Sequence, residues 1–497
     1  MSNDVRAALA AAILTVLAGC AVRAHLKPLP SADAPALSLR QSVERSAGAQ
    51  SADASASGTA SPDSSTWPAG AWWIQFGDPQ LDSLIEEGLA GSPDMDVALA
   101  RLEAARARSS AAHSGLVPGV DGSVSALRSR YSENGFFPPP LGGKTLWEYK
   151  GEADLHWDLD FWGRQRSALR AARASAQAAS VDWSATRLML SESIARRYIE
   201  WQHLEDQLAI AKALLAQRGR LLELTGLRVR AGLDTNIELN QAEGALPDTR
   251  AAVTALEGQI SVLRMELAAL LGAGPDRALA LEPPKLIQPP GLSLPTVVPA
   301  ELLARRADVI AMRLKAESAA AQADAARADL LPNINLVAAL GLDSTDISRW
   351  LDYGSRFYNV GPSLKLPIFN TGRHTALRLR TSDYEEAAAS YRRTLIDAVQ
   401  DVAAALSDLR AAAAQQSDAA ASVASESAAY SIAQHRYQAG LDPYTKVLLS
   451  EARLLAQRQR VADLKAARLD ANVRLIAALG GGVPLPQAEQ SEASRGN

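Results

Sequence analysis

The chain has 497 residues, enough for two to four ordinary domains or one elongated one. Its 51 Lys and Arg against 55 Asp and Glu give a formal net charge of -4, which excludes a global basic field for nucleic acid or a polybasic grip on a membrane surface. Apolar residues make up 47% but aromatics only 5%, a balance rich in alanine that suits long, closely packed helices more than a bulky globular interior.

The one cysteine, Cys20, excludes an internal disulfide and a cysteine-built metal site. It closes the run Leu17, Ala18, Gly19, Cys20, which follows an apolar stretch over 7–17. That stretch is shorter than the roughly 20 apolar residues that span a bilayer and has the length of a signal-peptide core. Leu-Ala-Gly-Cys resembles the bacterial lipobox. The resemblance implies a signal peptide over 1–19, a diacylated Cys20 as the first mature residue and, with Ala21 rather than aspartate next, sorting to the outer membrane. Residues 20–71 are rich in Ser, Ala, Pro and Asp without periodicity and read as a flexible tether.

Order is expected from Trp72. Asp78-Pro79 and Ser92-Pro93 each put a capping side chain before a proline at the first helical position, so two helices start there; the second stops before Pro118. The chain then repeats itself. Arg101-Leu102-Glu103-Ala104 returns as Arg313-Leu314-Lys315-Ala316, Leu116-Val117-Pro118 as Leu330-Leu331-Pro332, and Ala231-Gly232-Leu233-Asp234 as Ala439-Gly440-Leu441-Asp442. Gly232 to Gly272 and Gly440 to Gly480 are both 40 residues. The first repeat is expected over 72–282, with a β-hairpin at about 119–161, a long helix at about 163–231 and a helix at about 234–271. A proline-rich linker follows at 283–300. The second repeat, 301–482, carries a helix, a β-hairpin at about 333–368, a long helix at about 372–439 and a helix at about 443–479, before a disordered tail over 483–497.

A helix over 163–231 is about 100 Å long at 1.5 Å per residue. Its apolar positions Leu190, Ile194, Tyr198, Trp201, Leu204, Leu208, Ala211 and Leu215 recur at three- and four-residue steps, a coiled-coil stripe. Thr235 with Glu238 spells a capping box, and Asp442-Pro443 a capped start, so Gly232 and Gly440 mark tight helical hairpins.

The strands show the other period. Glu148, Lys150, Glu152, Asp154, His156, Asp158 and Asp160 alternate with Tyr149, Gly151, Ala153, Leu155, Trp157, Leu159 and Phe161. Alternation recurs in Ile334, Leu336, Ala338, Leu340 and Leu342, in Tyr358, Val360, Pro362, Leu364 and Leu366, and more weakly over 120–131. A charged row opposite an aromatic-tipped apolar row suits a strand between water and lipid, with Glu152, Asp154, His156 and Asp158 lining a pore. No stretch after the leader is long and apolar enough to cross a bilayer as a helix, so strands are the elements to do it. Two hairpins supply four strands, too few to close a membrane barrel, so other copies must complete it.

Catalytic sets are missing from the pattern. The histidines at 25, 113, 156, 203, 374 and 435 have no metal-ligand spacing, and neither H-E-x-x-H nor G-x-S-x-G occurs. Gly142-Gly143-Lys144-Thr145 is no phosphate loop, because Pro138, Pro139 and Pro140 remove the amides that would cradle phosphate. The reading is therefore no enzyme, no metal, no cofactor and no nucleic-acid partner.

With these residues in place, the chain resembles the TolC-like outer-membrane efflux ducts, in the lipoprotein (NodT-type) branch serving resistance–nodulation–division pumps. The resemblance rests on Trp72-Trp73-Ile74-Gln75-Phe76-Gly77-Asp78-Pro79, on Asp329-Leu330-Leu331-Pro332 and on Arg436-Tyr437-Gln438-Ala439-Gly440 with Tyr444. It implies a mixed α and β fold: a homotrimeric outer-membrane β-barrel, four strands per chain, continuous with a long periplasmic α-helical barrel. It further implies passive conduction of small toxic compounds from a periplasmic adaptor and an inner-membrane pump, with the adaptor docking at tips built from Gly232, Leu233, Asp234, Gly440, Leu441 and Asp442. Arg436, Tyr437 and Leu449 are the implied gate residues. Related ducts carry an acidic ring where this chain has Leu449, which opens the way to a hydrophobic closure. The alternative reading is a periplasmic coiled-coil scaffold or adaptor with a soluble β domain.

Overall fold

The computed structural model describes residues 26, 28–29, 70–289 and 306–482. The signal peptide and Cys20, most of the tether, the linker beyond 289 and the tail from 483 lie outside the described residues. The described residues form two compact units, one of 101–179 with 311–391, the other of 70–100, 180–289, 306–310 and 392–482.

A 3-10 helix, Trp72–Phe76, leads into α1 (Pro79–Gly91). Asp78 caps α1 by accepting from the Gln80 amide at 3.0 Å, while its other oxygen accepts from the Tyr198 hydroxyl and the Lys285 amide, both at 2.8 Å. One buried acid thus ties the start of α1 to two distant segments, and its hydrogen bonds offset the cost of burying it. Then follow α2 (Pro93–Ser114), β1 (Gly119–Arg130), β2 (Thr145–Asp158), α3 (Arg164–Arg230) and α4 (Asn236–Leu270). The same order returns as α5 (Ala307–Ala328), β3 (Asn333–Ser344), β4 (Arg356–Lys365), α6 (Thr371–Gln438) and α7 (Tyr444–Ala478). The long helices α3 and α6 have 67 and 68 residues, and α4 and α7 have 35 each.

Helices of this length hold through the stripe they bury. In α3, Leu190, Ile194, Tyr198, Trp201 and Leu208 are buried with Trp72, Trp73 and Phe76, and the Tyr198 and Trp201 rings meet edge to face at 5.7 Å. Alanine brings backbones close elsewhere. In the other unit the Ser318 hydroxyl of α5 donates to the Ala171 carbonyl of α3 at 2.8 Å.

The four strands make one antiparallel sheet in the order β1-β2-β3-β4. Residues directly opposite each other share a face, and Leu155 stands between Val120 and Ala338, which in turn faces Val360. One face therefore carries Val120, Val124, Ala153, Leu155, Leu336, Leu340, Tyr358 and Val360. The other carries Asp121, Ser123, Ser125, Glu152, Asp154, His156, Asn335 and Ser363. In the single chain the apolar face is open, with Val124 78% and Tyr358 81% exposed.

Two expectations need correction. The strand expected to reach Phe161 ends at Asp158, because Asp160 turns the chain with φ 47 and its carboxylate accepts from the Gln165 and Arg166 amides at 2.9 and 3.0 Å. Asp160 serves the start of α3, not the charged row. Nor does Asp442 cap α7: Pro443 holds the cap position with no side-chain bond. The Asp442 carboxylate is taken instead by Arg436 and Lys446, whose cations outbid a backbone amide.

Candidate functional site

Both helical hairpins close with the same backbone device. The Gly232 amide donates to the Val229 carbonyl at 3.0 Å and the Leu233 amide to Arg228 at 2.9 Å; the Gly440 amide donates to Tyr437 at 2.9 Å and Leu441 to Arg436 at 2.8 Å. Gly232 and Gly440 have φ of 70 and 75, the left-handed region that a side chain resists. In this motif the residue after the glycine usually meets an apolar partner one turn back. Here that partner is Arg228 or Arg436, so Leu233 and Leu441 stand out from the tips, 66% and 65% exposed.

Polar links then set the two tips apart. In the first, Arg228 grips Asp234 with two bonds, Nε to Oδ2 at 2.9 Å and Nη2 to Oδ1 at 3.1 Å, and its Nη1 reaches the Gln438 carbonyl of the second hairpin at 3.3 Å. The Tyr437 hydroxyl donates to the same Asp234 carboxylate at 2.5 Å and lies 3.2 Å from Thr225 Oγ1. The Arg228 guanidinium rests over the Tyr437 ring, 4.5 Å from its centre. Tyr437 is fully buried. In the second tip Arg436 and Lys446 both pair with Asp442, and Arg436 is half exposed. Thr235 and Glu238 form the capping box at the start of α4.

These contacts shift the titrations. The Arg228 hydrogen bond holds the Asp234 carboxyl below the ordinary 3.8, against the opposing effect of burial, with Tyr437 adding to it. The hydrogen bond from Arg436, with that from Lys446, lowers Asp442 likewise. Burial, reinforced by Asp234, pushes the Tyr437 hydroxyl up to about 12, so it remains a donor throughout the neutral range.

About two turns further from the tips, seven residues beyond Tyr444, Glu451 of α7 is buried at 2% exposure. It accepts from Arg218 Nε at 3.0 Å and Gln217 at 2.9 Å, while Arg218 also donates to the Thr249 hydroxyl at 2.8 Å and the Ala245 carbonyl of α4. This pair, a buried carboxylate with a half-buried guanidinium, joins three helices. Leu449, two residues away, faces outward and is 56% exposed.

Sequence reasoning thus found Tyr437 and Asp234, which the fold brings together, and Arg436, which among the described residues bonds within its own hairpin. It missed Arg228, Thr225, Arg218 and Glu451. Arg228 was within reach: it precedes Asp234 by the same six residues that separate Arg436 from Asp442. In the strands, Glu152 pairs with Lys150 at 2.7 Å, Asp158 with Arg164 at 2.7 Å, and His156 lies 3.8 Å from Asp121 of β1; Asp154 shares their face. Among the described residues no group of three or more His, Cys, Asp or Glu could hold a metal ion.

The sequence profile of the outer membrane efflux protein family matches residues 84–273 and 298–481. The multidrug resistance outer membrane protein MdtQ of Escherichia coli O157:H7 is 30% identical, covering 95% of this chain and 96% of that one. The pyoverdine export outer membrane protein OpmQ of Pseudomonas putida is 31% identical over 83% of this chain and 88% of its own length. Among solved structures, the outer membrane protein VceC from Vibrio cholerae superposes with a TM-score of 0.80 at 32% identity, covering 84% of this chain and all of that one. The chain belongs to the outer membrane efflux protein family, the outer-membrane channels of tripartite efflux systems.

Proposed function

We propose that three copies of the chain, each giving four strands, close a twelve-stranded barrel in the outer membrane, continuous with a periplasmic barrel of the long helices. The observation that carries this is the sheet: one open apolar face, one charged face and two unpaired edges, β1 and β4. A contiguous exposed apolar face is costly in water and at home in hydrocarbon, and edges that water could satisfy must be paired by other chains once the sheet lies in lipid. The open apolar face speaks against a soluble β domain on a periplasmic scaffold. The charged row with Glu152, Asp154, His156 and Asp158 then lines a water-filled bore.

Conduction is passive, driven by an inner-membrane pump through a periplasmic adaptor, and carries small toxic compounds or drugs outward. The tips around Gly232 and Gly440, with Leu233 and Leu441 exposed, are the adaptor-docking end. The Tyr437, Asp234 and Arg228 cluster holds the two hairpins together and so restrains opening, with Leu449 at the constriction. Cys20 carries the lipid anchor. The test is to purify the full chain from outer membranes in detergent and insert it in planar bilayers. Heat-modifiable trimers with discrete conductance are expected; water-soluble monomers without conductance overturn the reading.

A further inference from the structure

The exposed face of α7 carries a pattern that its counterpart lacks. Lys446, Arg453 and Arg460 are spaced seven residues apart and all exposed, with Leu449 and Ala456 between them. Seven residues are close to two helical turns, so in packed helices these cations form one line along the bundle. The opposite face of α7 buries Tyr444, Val447, Glu451 and Leu454, which fixes the line outward.

Counter-charges on this stretch are already taken. Between 446 and 462 the only acid is Glu451, buried beneath Arg218, and Asp442 is shared by Arg436 and Lys446. Asp418 and Glu426 of the neighbouring α6 form no ion pair with the line among the described residues, and Arg460 meets only the neutral Gln415 at 3.4 Å. The matching stretch of α4 has the opposite sign, with Glu238, Glu243 and Asp248 against Arg250. The positive line is therefore a property of one hairpin, and it contains the exposed Leu449.

We propose that this line faces the bore at its inner end and makes the duct prefer anions, so that the exported compounds it favours are organic acids bearing carboxylate, sulfonate or phosphate groups. The proposal rests on the duct reading with Leu449 at the constriction. Threefold repetition would set rings of cations one above another in a narrow aqueous passage, where fixed charge raises the local concentration of counter-ions.

The experiment measures the reversal potential of the full-length protein in planar bilayers under a KCl gradient. Wild type is expected to favour chloride, and Arg453→Glu with Arg460→Glu to lower the chloride-to-potassium permeability ratio by about threefold or more, with the neutral Arg453→Gln between them. Arg250→Glu, on α4, should leave the ratio unchanged. Each variant is first checked for heat-modifiable trimers. Discrete conductance that favours potassium, or that ignores the Arg453 and Arg460 changes, overturns the anion preference and leaves the duct standing. Loss of trimers in the charge-reversed variants alone overturns it too, assigning the line to contact with the Glu243 and Asp248 side of a sister copy. Absence of any conductance removes the duct reading itself and this proposal with it.

Discussion

The Tyr437 hydroxyl donates to the Asp234 carboxylate, joining the last turn of α6 to the turn between α3 and α4. It is a bond between two hairpins, made from a fully buried ring, and Arg228 holds both partners. Tyr437→Phe keeps the ring and its packing on Tyr444 but leaves Asp234 with one donor fewer. The hairpins should be held less tightly by about 1–2 kcal/mol. Single-channel recordings should show a higher open fraction for Tyr437→Phe, while trimer yield stays at the wild-type level.

The lock should be insensitive to pH across the neutral range. Asp234 titrates below the ordinary 3.8, so its contribution is complete above that value and is lost as the pH falls through the lowered one; Asp442, lowered likewise, follows the same course within its own hairpin. Tyr437 works in the other direction: with its hydroxyl raised from 10.0 to about 12, its contribution is complete below 10 and lost as the pH climbs toward 12. Open fraction measured from about pH 5 to 9 should be flat, with a rise only under strong acid or strong alkali.

Glu451 and Arg218 bear on stability more than on conduction. Glu451→Ala takes the carboxylate from a guanidinium that is 20% exposed and keeps its bonds to Thr249 and Ala245, and should cost about 1–3 kcal/mol, visible as earlier thermal melting of the helical signal. Replacing both residues by methionine should recover most of that loss, because the penalty comes from the unpaired charge.

On the sheet, neighbouring positions should differ sharply. Val124→Arg puts a cation on the apolar face and should cost about 2–4 kcal/mol if it meets the bilayer near its midplane. Ser125→Arg, one residue on, lies on the charged face and should be tolerated. Comparing outer-membrane yield and heat-modifiable migration of the two variants checks which face meets lipid.

Much of this architecture was legible because it is written in periods. Alternation marked β2 to β4, and paired glycines located both hairpin turns, since few other residues accept φ near 70. The pattern failed where one residue type serves two purposes. Asp160 continues the alternating row in sequence yet ends the strand, because a capping carboxylate and a pore-wall carboxylate look alike in a binary pattern. Glu451 carries no local signal, and its partner Arg218 is 233 residues away, beyond any local rule. Tyr437 could be singled out, but its bond to Asp234 depends on how two hairpins lie side by side, which no spacing within either one encodes.

The two open edges of the sheet bear on how the molecule is made. The sheet of a single copy ends at β1 on one side and β4 on the other, and would carry two rows of unsatisfied amides and carbonyls into oil. On the barrel proposed above, entry into the bilayer waits for sister chains, so biogenesis is a meeting before it is an insertion. Its rate should climb faster than linearly with the concentration of unassembled chain, so that where unassembled copies are degraded, a cell that halves synthesis would lose more than half of its finished ducts.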